Sequence, residues 1–517
     1  MSARTEGSQL ARNALMTYVS RGALVLSAVL LTPYLFRSLG LPGFGTWSVM
    51  LTLTTVFTLL EFGVSAGAVR TVAAARAAGD NELVLRTIRA ATVVMTFAGA
   101  AGAALAVAGA FALTPLAAAS EEEGFRRGML VLAAAMLVRF PSTAYAATLN
   151  GYQRYDLSNL SIAVTTILSA LGSVVAVEAG GSVFGLAVAH AIALVCGGAL
   201  YAVLLARLRI PVSIRPGRVS WSDVSRLGRF SSYTLLADSM TFVGQRFDVV
   251  IIAAVRNAAI AAPYAAAVRL QTGVQSLTLP VVDMLMPMMS DLWERGQRSE
   301  IARRLVLATR VTLQVTLPVA AGFALFAGDI TRLWLGADAP DVTATIIVLL
   351  MVVQTITLTA FAAEKTLIGI GRVRPIALLA VLEGAANVAL SIALTFRYGA
   401  LGPALGTVFT SGMLAPIRFA LACRALDWPL GRFLRSGVLV AATSSVPAVA
   451  AMLVVWLLVD AGTIRAIVGP LVGVAAAVAV GAVQLRTVRI LSLVRGMGED
   501  PSELPSELAT GSGSYTQ

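Results

Sequence analysis

The chain has 517 residues, 57% of them hydrophobic and 13% charged, against about 25% charged in a typical soluble protein, and its mean hydropathy is +0.83. Its 39 basic and 27 acidic side chains are too few to cover the surface of several stacked soluble domains, which excludes soluble, disordered and secreted disulfide-rich classes. A bilayer leaves the backbone only helices or closed barrels, and the apolar runs far exceed a barrel strand, so the fold class is an all-α polytopic membrane protein.

Apolar runs of about 20 residues, each enough to cross about 30 Å of hydrocarbon, predict fourteen spans. In chain order they cover 14–36, 43–69, 90–117, 128–150, 157–178, 182–206, 230–254, 259–289, 305–327, 342–366, 375–396, 400–422, 437–459 and 464–485. The first follows Arg4 and Arg12 but is longer than a signal-peptide core, so it is expected to remain as an anchor. The end of the chain, 496–517, carries Pro501, Pro505 and a Gly/Ser run and reads as a disordered cytoplasmic tail.

With both termini in the cytoplasm, 26 of the 39 basic residues fall in cytoplasmic segments, 7 in external loops and 6 inside spans, the bias expected of a multi-pass protein of the inner membrane. The net charge of +12 therefore belongs to membrane loops, and no soluble domain is present to hold nucleic acid.

The chain repeats itself weakly at a constant offset. Leu149-Asn150-Gly151-Tyr152-Gln153-Arg154 matches Leu367-Ile368-Gly369-Ile370-Gly371-Arg372 at 218 residues, Arg86 matches Arg304 at 218, and Arg37 matches Arg256 at 219. Six spans lie within that offset, an even number, so two bundles run in the same direction around a central cavity. The expected division is 1–206 for the first six-helix bundle, 207–229 for a basic cytoplasmic linker, 230–424 for the second bundle and 437–485 for two extra spans.

Cys196 and Cys423 lie far apart in apolar runs and read as packing residues, as does the lone His190; a zinc site or a Ser-His-Asp triad lacks its parts. No catalytic residues are assigned.

The run Leu31-Thr32-Pro33-Tyr34-Leu35-Phe36-Arg37-Ser38-Leu39-Gly40, then Gly43-Phe44-Gly45, Glu61-Phe62-Gly63 and Arg70, resembles the start of bacterial polysaccharide-biosynthesis flippases. Asp248, Tyr264-Ala265-Ala266-Ala267, Pro287 and Ser290 agree in the second half. These proteins belong to the multidrug/oligosaccharidyl-lipid/polysaccharide exporter superfamily. The resemblance implies movement of an undecaprenyl-diphosphate-linked oligosaccharide from the inner to the outer leaflet by alternating access. It also implies lipid-linked oligosaccharide, membrane lipids and polysaccharide polymerases or glycosyltransferases as partners.

Charged groups inside spans need partners, water or a function. Arg21, Arg139, Arg246 and Arg269 lie deep, on or beside polar faces that include Asn13, Thr143, Gln245 and Thr272, and they are the candidates for a diphosphate, which a guanidinium grips bidentately. Asn13 and Gln245 are candidates for sugar contacts. Asp238, Asp248 and Glu61 are candidates for a coupling Na+ or H+. Ion pairing is the competing account: Glu61 and Arg21 both sit about 12 Å from the inner surface, and Asp248 is near Arg246 and Arg269. Arg310 and Arg418, one or two turns from the cytoplasm, are expected to snorkel. A peptidoglycan-precursor flippase, a cation-coupled multidrug antiporter and a membrane glycosyltransferase or polymerase are the other readings. The antiporter needs acids in span one, where only Arg21 is charged, and an enzyme needs long outer loops with paired carboxylates, which are missing.

Overall fold

The computed structural model describes residues 3–57, 61, 64–210, 219–228, 244, 246–283 and 285–496. Every regular element among them is helical, as apolar segments must be where no water can satisfy the backbone. Ten helical segments are long and apolar enough to cross a membrane, and two of them, Leu15–Phe57 and Val373–Ala425, contain an internal turn and supply two crossings each. The chain is a multi-pass membrane protein.

The first bundle contains α1 (Ala3–Phe57), α2 (Val64–Ala77), α3 (Asn81–Ala112), α4 (Glu122–Gly151), α5 (Tyr155–Glu178) and α6 (Val183–Arg207). Gly40 breaks α1 into two arms with φ 63°, a backbone conformation that a side chain strains, and Pro42 starts the second arm where an N–H is dispensable. The span expected at 43–69 falls on the second arm of α1, described to Phe57, and on the start of α2 from Val64; of the residues between them only Glu61 is described. Asp80 starts α3 by accepting the Leu83 N–H at 2.8 Å.

In the linker, α7 (Trp221–Gly228) docks on α2 and α3 and is tied to α3 by a bidentate Arg86–Asp223 pair. The second bundle contains α8 (Asp248–Val255), α9 (Ala258–Asp283), α10 (Leu285–Glu294), α11 (Arg298–Leu335), α12 (Val342–Gly369), α13 (Val373–Tyr398) and α14 (Gly402–Ala425). A π-helical stretch, Leu434–Leu439, leads into α15 (Val440–Leu458), which with α16 (Thr463–Gly496) packs on α11. Arg465 bridges α16 to Asp329 at 2.6 Å, and Gln314 donates to Ser444 at 2.9 Å. The tail expected from 496 onward lies outside the described residues apart from Gly496.

The core shows where the two bundles meet. At the Gly40 end, one apolar cluster joins Phe36, Phe44, Trp47 and Met50 to Ile252, Tyr264, Ile346 and Leu350. Gly45 lets the two bundles approach there, since a Cβ on it would lie 1.9 Å from the Ala258 carbonyl oxygen at the start of α9. At the opposite end, the buried clusters stay within one bundle: Ile88, Leu149 and Leu205 in the first, Met289, Leu305, Leu367 and Phe419 in the second. Among the described residues, then, the apolar seal between the bundles sits at the Gly40 end.

The cysteines differ from expectation by half. Cys423 is buried in the second bundle, but Cys196 is exposed on α6. A membrane helix presents apolar residues to lipid as readily as to protein, so hydropathy alone does not separate the two faces.

Candidate functional site

A chamber of about 400 Å³ lies between the bundles. The first bundle contributes hydroxyls, Ser27, Thr52, Thr165 and Ser169, and the imidazole of His190; the second contributes Arg246, Asp248, Tyr264 and Arg269. His190 Nδ1 lies 2.8 Å from Ser169 Oγ, and its ring meets Trp47 edge-on. The packing role expected of it is thus combined with a place on the chamber wall.

The charges in this chamber are not neutralised in pairs. Asp248, 5% exposed, accepts hydrogen bonds from the Tyr264 hydroxyl and from Ser391 Oγ at 3.3 Å, so it is held by hydroxyls and not by Arg246 or Arg269. Neither Arg246 nor Arg269 has a carboxylate within ion-pair distance among the described residues. Two guanidinium groups therefore line one chamber with no ion pair to either among the described residues, the Asp248 carboxylate in the same wall being held by hydroxyls, an arrangement that suits an anionic ligand.

The remaining sequence candidates go elsewhere. Arg21 reaches from α1 to α9, where Nη1 donates to the Ser276 carbonyl at 2.7 Å. Its expected pairing with Glu61 does not occur: Glu61 lies 3.8 Å from Arg139. The two acid–base partners come from helices that meet at an angle the sequence does not specify. Asn13 ties the start of α1 to the α4–α5 turn, donating to the Gln153 carbonyl at 3.0 Å and accepting from the Asp156 N–H at 3.0 Å. Arg21, Arg139, Asn13 and Glu61 do not line the chamber. Gln245 and Asp238 lie outside the described residues.

Sequence reasoning missed a second polar centre. Arg418 does not snorkel; it is 6% exposed and is gripped by Glu383, with Glu364 Oε2 at 3.6 Å from its Nε. It has two acids within reach inside the bundle, which outcompete a distant interface. Glu383, alone in the middle of the run 375–396, was the available signal. These residues line a small cavity of about 70 Å³ inside the second bundle that shares Arg246, Asp248 and Tyr264 with the central chamber. Arg310 likewise turns inward, donating to the Ser436 carbonyl at 2.6 Å where the π-helical stretch begins α15.

A third cavity, about 910 Å³, is mostly apolar and lies between the first arm of α1, α9, α11 and the added pair α15 and α16. Val29, Pro318, Phe323, Met452, Pro470 and Val474 line it, and Arg37 with Trp334 stand at its Gly40 end.

Residues 10–293 match the model of a family described as polysaccharide biosynthesis protein. No curated protein matches the chain by sequence. Among solved structures, the chain is similar to the lipid II flippase MurJ in an inward closed conformation, with TM-score 0.68 and 14% identity over 92% of this chain and 99% of that one. It is also similar to an inward-facing multidrug resistance MATE family transporter of the MOP superfamily, with TM-score 0.63 and 15% identity over 80% and 94% of the two chains. A MOP superfamily transporter from Pyrococcus furiosus matches at TM-score 0.55 and 15% identity over 81% and 95%. At such identities the likeness is one of fold.

Proposed function

Because the chain belongs to the family of polysaccharide biosynthesis proteins, we propose that it is a flippase that carries a lipid-diphosphate-linked oligosaccharide from the inner to the outer leaflet of the cytoplasmic membrane. The observation that carries this reading is the pair Arg246 and Arg269, which face a chamber between the bundles with no carboxylate paired to either among the described residues. A diphosphate is the part common to all such lipids, and guanidinium groups hold its oxygens at any physiological pH.

The apolar cavity beside α15 and α16 supports the same reading. A polyprenyl tail gains nothing in a polar chamber and stays in an apolar groove open to lipid while its headgroup crosses. The excess of basic residues in the loops at the other end supports an outward-facing Gly40 end; the apolar seal then closes the outer exit and the chamber opens to the cytoplasm, where glycosyltransferases deliver the substrate. Rocking of the bundles would open the outer end and deliver the glycan to a polymerase. Asp248, held by two hydroxyls and no cation of the protein, is the carboxylate that takes a coupling Na+ or H+. None of these steps requires bond-making chemistry.

The test uses proteoliposomes loaded with undecaprenyl-diphosphate-linked N-acetylglucosamine and a membrane-impermeant lectin for that sugar. The wild-type protein is expected to expose the sugar faster than protein-free liposomes, and Arg246→Gln or Arg269→Gln to slow exposure about tenfold or more, the value of a charge-assisted contact. Equal rates with and without the protein overturn the reading.

A further inference from the structure

The chain between α14 and α15, residues 426–439, lies at the end opposite the Gly40 seal and is built as a platform. Phe433 is fully buried against Phe419, with ring centroids 5.1 Å apart, and Gly437, one turn on, is buried facing Val306 and Thr309 of α11. Arg310 holds the same stretch by donating to the Ser436 carbonyl at 2.6 Å. Helical spacing then turns Leu430 and Leu434 to one side of the buried face, where they are 38% and 43% exposed, and Arg432 and Arg435 to the other, both exposed.

The arginines at this end of the second bundle fall into two groups. Arg295, Arg298, Arg303 and Arg304 are each paired with Asp291, Asp427 or Glu300 within 3.0 Å. Arg424 in the last turn of α14, Arg432 and Arg435 have no carboxylate within ion-pair distance among the described residues. Arg432 lies over the Trp428 ring, 5.3 Å from its centroid, which positions the guanidinium but gives it no counter-charge. None of these residues lines the central chamber.

We propose that 429–436 is a binding site for the headgroup of an anionic phospholipid, with the phosphodiester on Arg432 and Arg435 and the acyl chains along Leu430 and Leu434. The inference does not depend on what the protein carries: the ligand is a lipid of the surrounding membrane. A segment that follows one membrane span and leads into the next lies at headgroup level, where a basic face beside an apolar one matches a phosphate and the chains beneath it. Guanidinium groups hold phosphate oxygens bidentately, which a zwitterionic headgroup offsets with its own cation. Nucleic acid or an acidic peptide would meet the arginines and leave the leucines uncovered. Leu439 and Val446, 55% and 59% exposed, carry the apolar face onward along α15. Met452 of that helix lines the apolar cavity, so a lipid held at 429–436 braces one wall of it.

The experiment titrates the purified full-length protein in detergent with phosphatidylglycerol or phosphatidylcholine and reads the bound lipid by native mass spectrometry. An arginine beside an anionic lipid is worth about fivefold in affinity, so the wild type is expected to prefer phosphatidylglycerol by about 25-fold. The double variant Arg432→Gln/Arg435→Gln is expected to lose most of that preference at unchanged melting temperature, since both side chains are exposed. Arg303→Gln/Arg304→Gln removes the same charge from the same end and is expected to keep the preference. Equal binding of the two lipids by the wild type overturns the site. An equal loss in both double variants shows attraction by overall charge alone and overturns it too. Displacement of phosphatidylglycerol by millimolar inorganic phosphate, not reproduced by chloride at the same ionic strength, assigns the arginines to free phosphate and likewise overturns it. The flippase reading stands in each case.

Discussion

Arg37 and Arg256 stand 219 residues apart at equivalent points of the repeat, and each donates its guanidinium to the last carbonyls of a helix, but not in the same way. Arg256 serves its own bundle, reaching the Thr395 carbonyl at 3.3 Å and that of Phe396 at the end of α13. Arg37 crosses between bundles, reaching the carbonyls of Leu335 at 3.0 Å, Trp334 at 3.1 Å and Leu333 at 3.3 Å at the end of α11. Trp334 returns the link by donating to the Val29 carbonyl at 2.7 Å. One sequence position thus acts as a staple in one half and as a latch between halves in the other.

Removing the latch should shift the equilibrium between closed and open outer ends. In a background lacking Cys196 and Cys423, spin labels at the exposed Ser38 and Asp338 report that separation. Arg37→Gln is expected to lengthen or broaden the distance distribution, while Arg256→Gln lowers the melting temperature and leaves the distribution in place. An unchanged distribution in Arg37→Gln would show that the apolar cluster alone holds the seal.

Gly45 offers an independent handle on the same seal. A Cβ there would lie 1.9 Å from a backbone oxygen, Ala258 O, which no side-chain rotation relieves. Gly45→Ala is therefore expected to push the bundles apart at this end, giving the same change in label distance as Arg37→Gln, or to destabilise the protein by about 1–3 kcal/mol as overpacking does. A variant with wild-type melting temperature and wild-type distances would contradict the close approach.

The Glu364–Arg418–Glu383 group should respond asymmetrically to substitution. Arg418→Met takes the guanidinium away from the part-buried Glu383 carboxylate and is expected to lose up to about 3 kcal/mol, read as a fall in melting temperature or in folded yield. Glu364→Gln keeps the Glu383–Arg418 pair, so its effect should be much smaller. Similar losses in both variants would mean that the three residues do not act as the geometry indicates.

Asn13 is placed as an anchor, and its variants should separate anchoring from transport chemistry. Asn13→Ala removes the bonds to the exposed Gln153 carbonyl and the part-buried Asp156 N–H, and is expected to cost about 1 kcal/mol, the net worth of such hydrogen bonds. Binding of undecaprenyl diphosphate by the folded fraction should be unchanged. A selective loss of lipid binding at normal stability would return Asn13 to the ligand site.

The sequence by itself determined that this chain crosses a membrane many times as helices, because hydrophobicity summed over about 20 residues needs no knowledge of neighbours. It also marked the charges that lipid does not tolerate, among them Arg246, Arg269 and Asp248, since the cost of burial attaches to a residue type at a depth. Which groups those charges meet was a matter for the tertiary structure alone. Arg139 faces Glu61, Arg21 faces the Ser276 carbonyl, and Arg418 faces two acids from α12 and α13, because helix rotation and crossing angle bring distant segments together and hydropathy is blind to both. The same holds for two amides of the second bundle: as letters, Gln354 and Asn387 are ordinary polar residues in apolar runs, and only packing leaves one donor and one acceptor buried without partners in one small cavity.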